Sequence, residues 1–210
     1  MGELIVLTEQ LADRARPRAQ ARPAFFFDLP CPFSYLAAER VERLLGEVDW
    51  VPVAGPLHAE ADGAALRTAA GERASQLRLP LVWPESFPAP AKGALRAAAR
   101  AAQFGLGGRF ALAGARLAFC GGFDLKDPEV LAETAAASRF GLDECLAAAR
   151  DETLDGPLYA TARGLRARGV RRLPAVRIGH GFFAGEAQLS QAAAVSRAAA
   201  DYESSAFRSG

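Results

Sequence analysis

The run Phe25-Phe26-Phe27-Asp28-Leu29-Pro30-Cys31-Pro32-Phe33-Ser34-Tyr35-Leu36 constrains the fold of this chain more than any other stretch. Residues 24–28 are apolar up to Asp28, the pattern of a strand covered on both faces. A turn follows, and Cys31 stands where a helix begins, with Pro32 suited to the first helical turn. From Ser34 to Leu45, residues Tyr35, Leu36, Ala38, Val41, Leu44 and Leu45 share one broad face of a helix, which Gly46 stops. Val48 to Val53 reads as a second strand. Strand, helix and strand in that order predict a βαβ unit with a parallel, right-handed crossover.

The same junction carries the candidate chemistry. A thiol at a helix N-terminus faces unpaired backbone N–H groups and the positive end of the helix dipole, and both favour thiolate over thiol. Ser34 occupies the place of the second cysteine in a Cys-x-x-Cys motif. A disulfide formed at Cys31 therefore has no neighbour in sequence to resolve it, while the Ser34 hydroxyl is available to donate to a sulfur nearby. A buried, inert thiol is the alternative reading of Cys31.

Composition narrows the classes. With 25 Lys and Arg against 24 Asp and Glu in 210 residues, there is no basic excess of the kind nucleic-acid binding uses. No apolar stretch has the length of a membrane span, and residues 1–23 lack the pattern of a secretory signal, so a cytoplasmic protein is expected. Cysteines at 31, 120 and 145 and histidines at 58 and 180 give neither a disulfide framework nor a metal-ligand spacing. No metal is expected.

Residues 1–22 read as a flexible extension. From 64 to 156 the pattern is helical almost throughout, with helices expected over 90–103, 109–119, 129–139 behind an Asp127-Pro128 start, 143–149 capped by Asp143, and 153–168. Strand character returns at 175–178, followed by a Gly179-His180-Gly181 turn, Phe182-Phe183-Ala184, and a last helix over 186–200 with Leu189 and Val195 facing inward. The order βαβ, helical block, ββα is that of an α/β thioredoxin-like fold with an all-helical domain inserted in the middle. Residues 23–63 and 157–203 form the discontinuous thioredoxin-like domain and 64–156 the insertion.

That frame gives Pro174 a meaning. In Arg172-Leu173-Pro174-Ala175-Val176 it precedes a strand at the position of the thioredoxin cis-proline. A cis bond there turns Leu173 toward the active-site sulfur, where its N–H and C=O can pair with an extended thiol peptide or glutathione.

Residues 24 to about 200 resemble the DsbA-like thioredoxin family, within it the 2-hydroxychromene-2-carboxylate isomerase and kappa-class glutathione transferase branch. The matching stretches are 25–37, Leu79 to Pro88 (Leu-Pro-Leu-Val-Trp-Pro-Glu-Ser-Phe-Pro), 118–122 leading into Asp127-Pro128, and 169–185 around Pro174. The resemblance implies a glutathione-type or other low-molecular-weight thiol bound beside the junction, a small aromatic substrate, and often a homodimer. It makes Cys31 and Ser34 the catalytic pair, Leu173, Pro174 and Glu186 the cofactor-binding residues, and Phe33, Trp83 and Phe87 the substrate pocket. The chain departs from the branch in three places: cysteine rather than serine at 31, Ala89-Pro90 where an asparagine follows the Phe-Pro pair, and Gly185-Glu186-Ala187-Gln188 in place of an aspartate-bearing turn. Three functions follow as alternatives: a thiol–disulfide oxidoreductase working through Cys31, a glutathione-dependent isomerase or transferase acting on a small aromatic compound, and a non-catalytic binding module.

Overall fold

The computed structural model describes residues 22–55, 63–88 and 90–208, with 202–208 as backbone only. The extension expected over 1–22 lies outside these residues except for Arg22, and so does His58. Four strands, β1 (Ala24–Phe27), β2 (Asp49–Pro52), β3 (Ala175–Ile178) and β4 (Gly181–Ala184), form one sheet in the order β2-β1-β3-β4. β1 and β2 are parallel, and β3 runs antiparallel to both β1 and β4. Helix α1 (Pro32–Leu45) makes the crossover between β1 and β2. Its apolar stripe is the reason: Tyr35, Leu36, Ala37, Ala38 and Val41 are all buried. α8 (Leu189–Arg208) packs beside α1 and against β3, and α7 (Asp155–Ala167) covers the opposite face of the sheet.

Between β2 and α7 lie α2 (Gly63–Leu77), α3 (Lys92–Gln103), α4 (Gly107–Phe119), α5 (Pro128–Ser138) and α6 (Leu142–Arg150). Asp127 caps α5 as its sequence implies, its carboxylate accepting from Glu129 N–H at 2.8 Å. Asp143 is not a cap: Gly141 takes that position and Asp143 sits in the first turn of α6, where its charge suits the helix dipole. The expected boundary at 156/157 falls inside α7. The helical block and the sheet share one core, in which Phe25 and Trp50 are continuous with Ala94, Phe110 and Phe140. Trp50 stands edge-on to Phe25 and Phe27 at 5.0 and 5.8 Å between centroids. It approaches the start of α4 so closely that a Cβ at Gly108 would lie 2.5 Å from its Nε1. Val195 departs from expectation. It is 43% exposed, and among the described side chains Leu189, Ala192 and Ala193 are those α8 buries. No described helix is long and apolar enough to cross a membrane.

Arg96 on α3 ties the block to α7. It is 8% exposed, and its Nε and Nη2 donate to the two carboxylate oxygens of Asp155, each at 2.7 Å. The hydrogen bond from Arg96 holds the Asp155 carboxyl below its ordinary value of 3.8. A carboxyl whose folded value is depressed stabilises the fold above its unfolded value, and that contribution is lost as pH falls through the folded one. Asp155→Asn is therefore expected to cost about 2–3 kcal/mol at neutral pH. The difference from wild type should shrink below pH 3.8, as chemical denaturation at a series of pH values would show.

Candidate active site

β1 ends at Phe27, and the chain turns through Asp28-Leu29-Pro30 into Cys31. The turn is closed by the Cys31 N–H donating to the Asp28 carbonyl at 3.0 Å. Cys31 is the N-cap of α1 with extended backbone (φ −95°, ψ 116°), and Pro32 is the first helical residue. No side chain caps the first turn, so its N–H groups have no side-chain acceptor. The Ser34 oxygen accepts the Asp28 N–H at 3.2 Å, which braces the turn from below, and no hydrogen bond joins it to the Cys31 sulfur among the described residues.

The Leu173–Pro174 peptide bond is cis, and the Leu173 carbonyl lies 4.0 Å from Cys31 Sγ. Both residues are buried, and the Pro174 carbonyl accepts from Gly185 N–H at 2.7 Å. That leaves the Leu173 carbonyl as the group turned to the sulfur. The two ends of the thioredoxin frame, 142 positions apart in sequence, thus meet at one atom.

Cys31 is 2% exposed, yet it forms part of the wall of a cavity of about 330 Å³. Phe87, Pro88, Leu66, Leu95 and Tyr159 supply apolar surface there, and Asp28 and Lys92 supply charge. The cavity lies between the start of α1, the start of α3 and the side of α7. Gly55 shapes it: φ is +124°, a conformation that L side chains rarely adopt, and a Cβ there would sit in ordinary contact with the Tyr159 ring at 3.5 Å. The Phe87–Pro88 bond, which forms one wall, is also cis.

Of the expected pocket residues, only Phe87 lines this cavity. Trp83 stands behind it, with ring centroids 4.8 Å apart, and Phe33 packs half-buried against the core. Arg67 of α2 fixes both aromatic rings. Its Nη2 donates to the Phe87 carbonyl at 2.8 Å, and its guanidinium lies 5.0 Å from the Trp83 ring and 5.2 Å from the Phe87 ring. Glu186 is 4% exposed, and its carboxylate is bonded by Arg40 of α1 and by Arg73 of α2, the latter at 2.5 and 3.2 Å.

Asp28, Lys92 and Tyr159 are the site residues that sequence reasoning passed over. Lys92 carried a signal, because it and Lys126 are the chain's lysines in an otherwise arginine-based positive complement. Asp28 marked the strand end but was read only as its boundary. Tyr159 had no local mark.

The three cysteines are free. Burial pushes the Cys145 thiol up to about 11, and its Sγ points at the Leu131 carbonyl, 3.8 Å away. Cys120 is half-buried at the end of α4, 3.2 Å from the Tyr35 hydroxyl. That hydroxyl also lies 2.9 Å from the Pro80 carbonyl, to which it donates, so the Cys120 thiol donates to the phenol oxygen. Burial, followed by the Cys120 hydrogen bond, holds the Tyr35 phenol well above its usual range. Among the described residues no group of side chains is placed to hold a metal ion.

The sheet order, the cysteine at the first crossover helix and the cis-proline facing it define a thioredoxin fold. The chain belongs to the DSBA-like thioredoxin domain family, whose model matches residues 24–195. No curated protein matches it in sequence. Among solved structures it is similar to 2-hydroxychromene-2-carboxylate isomerase, with a TM-score of 0.68 at 14% identity, covering 87% of this chain and 98% of that one. It is also similar to a probable DsbA oxidoreductase from Streptomyces coelicolor, with a TM-score of 0.66 at 18% identity, covering 84% and 90%. At these identities the likeness establishes the fold.

Proposed function

We propose that this protein is a single-cysteine thiol enzyme, in which Cys31 exchanges with the disulfide of a low-molecular-weight thiol. The observation that carries this reading is a lone cysteine at the start of α1, beside the Leu173 carbonyl, in the wall of an apolar cavity. The Cys31 thiolate attacks one sulfur of an oxidised thiol, RSSR. A Cys31–S–SR bond forms, the original S–S bond breaks, and RS⁻ leaves. A second external thiol reverses the step. Ser34 cannot resolve the adduct, because a hydroxyl does not replace a thiolate in this exchange. With Cys31 2% exposed, access runs through the cavity, which favours a small thiol over a protein surface.

A second reading is isomerase- or transferase-like chemistry on a small aromatic compound. It is favoured by the Phe87, Leu66 and Tyr159 walls and by the likeness to an isomerase across nearly its whole length. There a bound thiol would supply the nucleophile, and residue 31 would support its sulfur. We place the protein in the cytoplasm, where thiols of this kind are kept reduced.

Intact-protein mass spectrometry after exposure to oxidised glutathione tests the first reading. Wild type should take up a single adduct that peptide mapping places on Cys31, and Cys31→Ser should take up none there. An adduct confined to Cys120, or no adduct at all, would overturn it. The second reading makes the opposite demand. Thiol-dependent turnover of a chromene-type carboxylate should survive Cys31→Ser, since serine can still hydrogen-bond the thiolate of the bound thiol.

A further inference from the structure

A second hollow, of about 290 Å³, lies between α7 and the β3–β4 hairpin. It sits at the far end of the sheet from Cys31. Arg177 pairs with Ala24, where β1 begins, whereas Cys31 follows the end of that strand at Phe27. Thr161, Gly164, Leu165 and Arg168 form one wall, and their spacing places them on a single stripe of α7. Gly164 keeps this wall low. A Cβ there would meet only the Arg168 guanidinium, at 3.6 Å, so the absence of a side chain serves the hollow and not the packing of the helix. A glycine inside a helix costs about 1 kcal/mol relative to alanine.

The other wall is the hairpin. Arg177 and Phe182 are opposed across the β3–β4 ladder, and the Phe182 ring lies 6.2 Å from that of Phe26, between centroids. His180 stands at the turn. The ionisable residues lining the hollow are thus Arg168, Arg177 and His180, with no acid beside them. None of the three has a carboxylate partner among the described residues. Arg177 is the telling one. It is half-buried in a strand whose other members are Ala175, Val176 and Ile178. It lines the hollow without a carboxylate partner, so its guanidinium is available to an anion there.

We propose that this hollow binds a small aromatic phosphate, of the nucleoside monophosphate class. The flat ring lies against the Phe182 face, and the phosphate takes the N–H donors of Arg177, Arg168 and His180. A phosphate suits three donor side chains lining one hollow better than a single carboxylate does, because it has three terminal oxygens and close to two charges. The assignment is independent of the chemistry at Cys31, and no part of that site enters it.

Calorimetric titration of the whole chain with adenosine monophosphate, adenosine and inorganic phosphate, at fixed ionic strength, tests it. The nucleotide should bind saturably, and adenosine should bind at least about tenfold more weakly, since it lacks the charge-assisted hydrogen bonds. Arg177→Gln should weaken the nucleotide about tenfold. Phe182→Leu should weaken the nucleotide and leave inorganic phosphate unchanged. Gly164→Leu, which fills the hollow at a half-buried helix position, should abolish nucleotide binding while the protein melts no lower than wild type and keeps its adduct at Cys31. The proposal fails if the nucleotide shows no saturable binding, or if Arg177→Gln binds it as wild type does. It fails equally if Lys92→Gln, in the Cys31 cavity, is the variant that removes binding.

Discussion

Ser34→Cys is expected to speed the release of thiol from the Cys31 adduct by ~100-fold or more, since an attacking group held beside its target acts at very high effective concentration. Residues 31 and 34 are one helical turn apart, with Cys31 at the N-cap and Ser34 in the first turn, a separation that a disulfide can span. The new thiol would attack the Cys31–S–SR bond from inside, close an internal disulfide between positions 31 and 34, and release RSH. In wild type the same adduct waits for an external thiol. The substitution has a cost. Ser34 is 3% exposed and accepts the Asp28 N–H, and a sulfur accepts more weakly, so about 1 kcal/mol of stability should go with the gain. Stopped-flow measurement with a fluorescent disulfide, on wild type and Ser34→Cys, reads the difference. Equal rates would mean that another cysteine already resolves the adduct. Cys120→Ser would then identify it, because Cys120 reaches α1 through Tyr35 whereas Cys145 lies against α5 with its thiol held near 11. The single-cysteine reading would be wrong in that case.

The junction at Cys31 was legible because every signal in it is local. An apolar strand, a turn, a proline at the first helical position and an amphipathic helix are written within 22 residues, 24–45. The cis-proline became legible only through the fold, since nothing near Leu173-Pro174 specifies its isomer. The cavity was less legible because its walls come from helix starts and sides far apart in sequence, and Lys92 and Tyr159 meet Asp28 only after packing. Trp83 and Phe87 illustrate the limit. They are close in sequence and equally aromatic, and the Phe87–Pro88 turn decides which one faces the cavity. Helix α2 lacked an apolar period to read. It buries Ala70 and Ala74 and is held largely by the polar reach of Arg67 and Arg73. Val195 shows the converse error, an apolar residue assigned inward on a helix whose buried stripe runs along Leu189, Ala192 and Ala193.

Glu186→Ala is expected to destabilise the fold by about 3–5 kcal/mol, the range found when one partner of a buried ion pair is removed. The Glu186 side chain is 2% exposed, and its arginines are withdrawn too, Arg40 at 13% and Arg73 at 29%. Without the carboxylate, two guanidinium groups face each other in a site with little water to screen them. They come from α1 and α2, so the loss also loosens the attachment of α2, whose Leu66 walls the cavity. At ~2–4 °C per kcal/mol for a chain of this size, the melting temperature should fall by about 10 °C. Glu186→Gln, which keeps the shape and one acceptor, should lose less. Arg73→Met combined with Glu186→Gln should lose less than the sum of the two single changes, because the groups act on one network. The same variants decide what the carboxylate is for. If Glu186→Ala melts like wild type but forms its Cys31 adduct with oxidised glutathione far more slowly, the carboxylate serves the ligand and the ion triad contributes nothing to the fold. If the melting temperature falls and the adduct still forms at the wild-type rate below the transition, Glu186 is a structural anchor. The thiol is then held by the cavity walls and the Leu173 carbonyl.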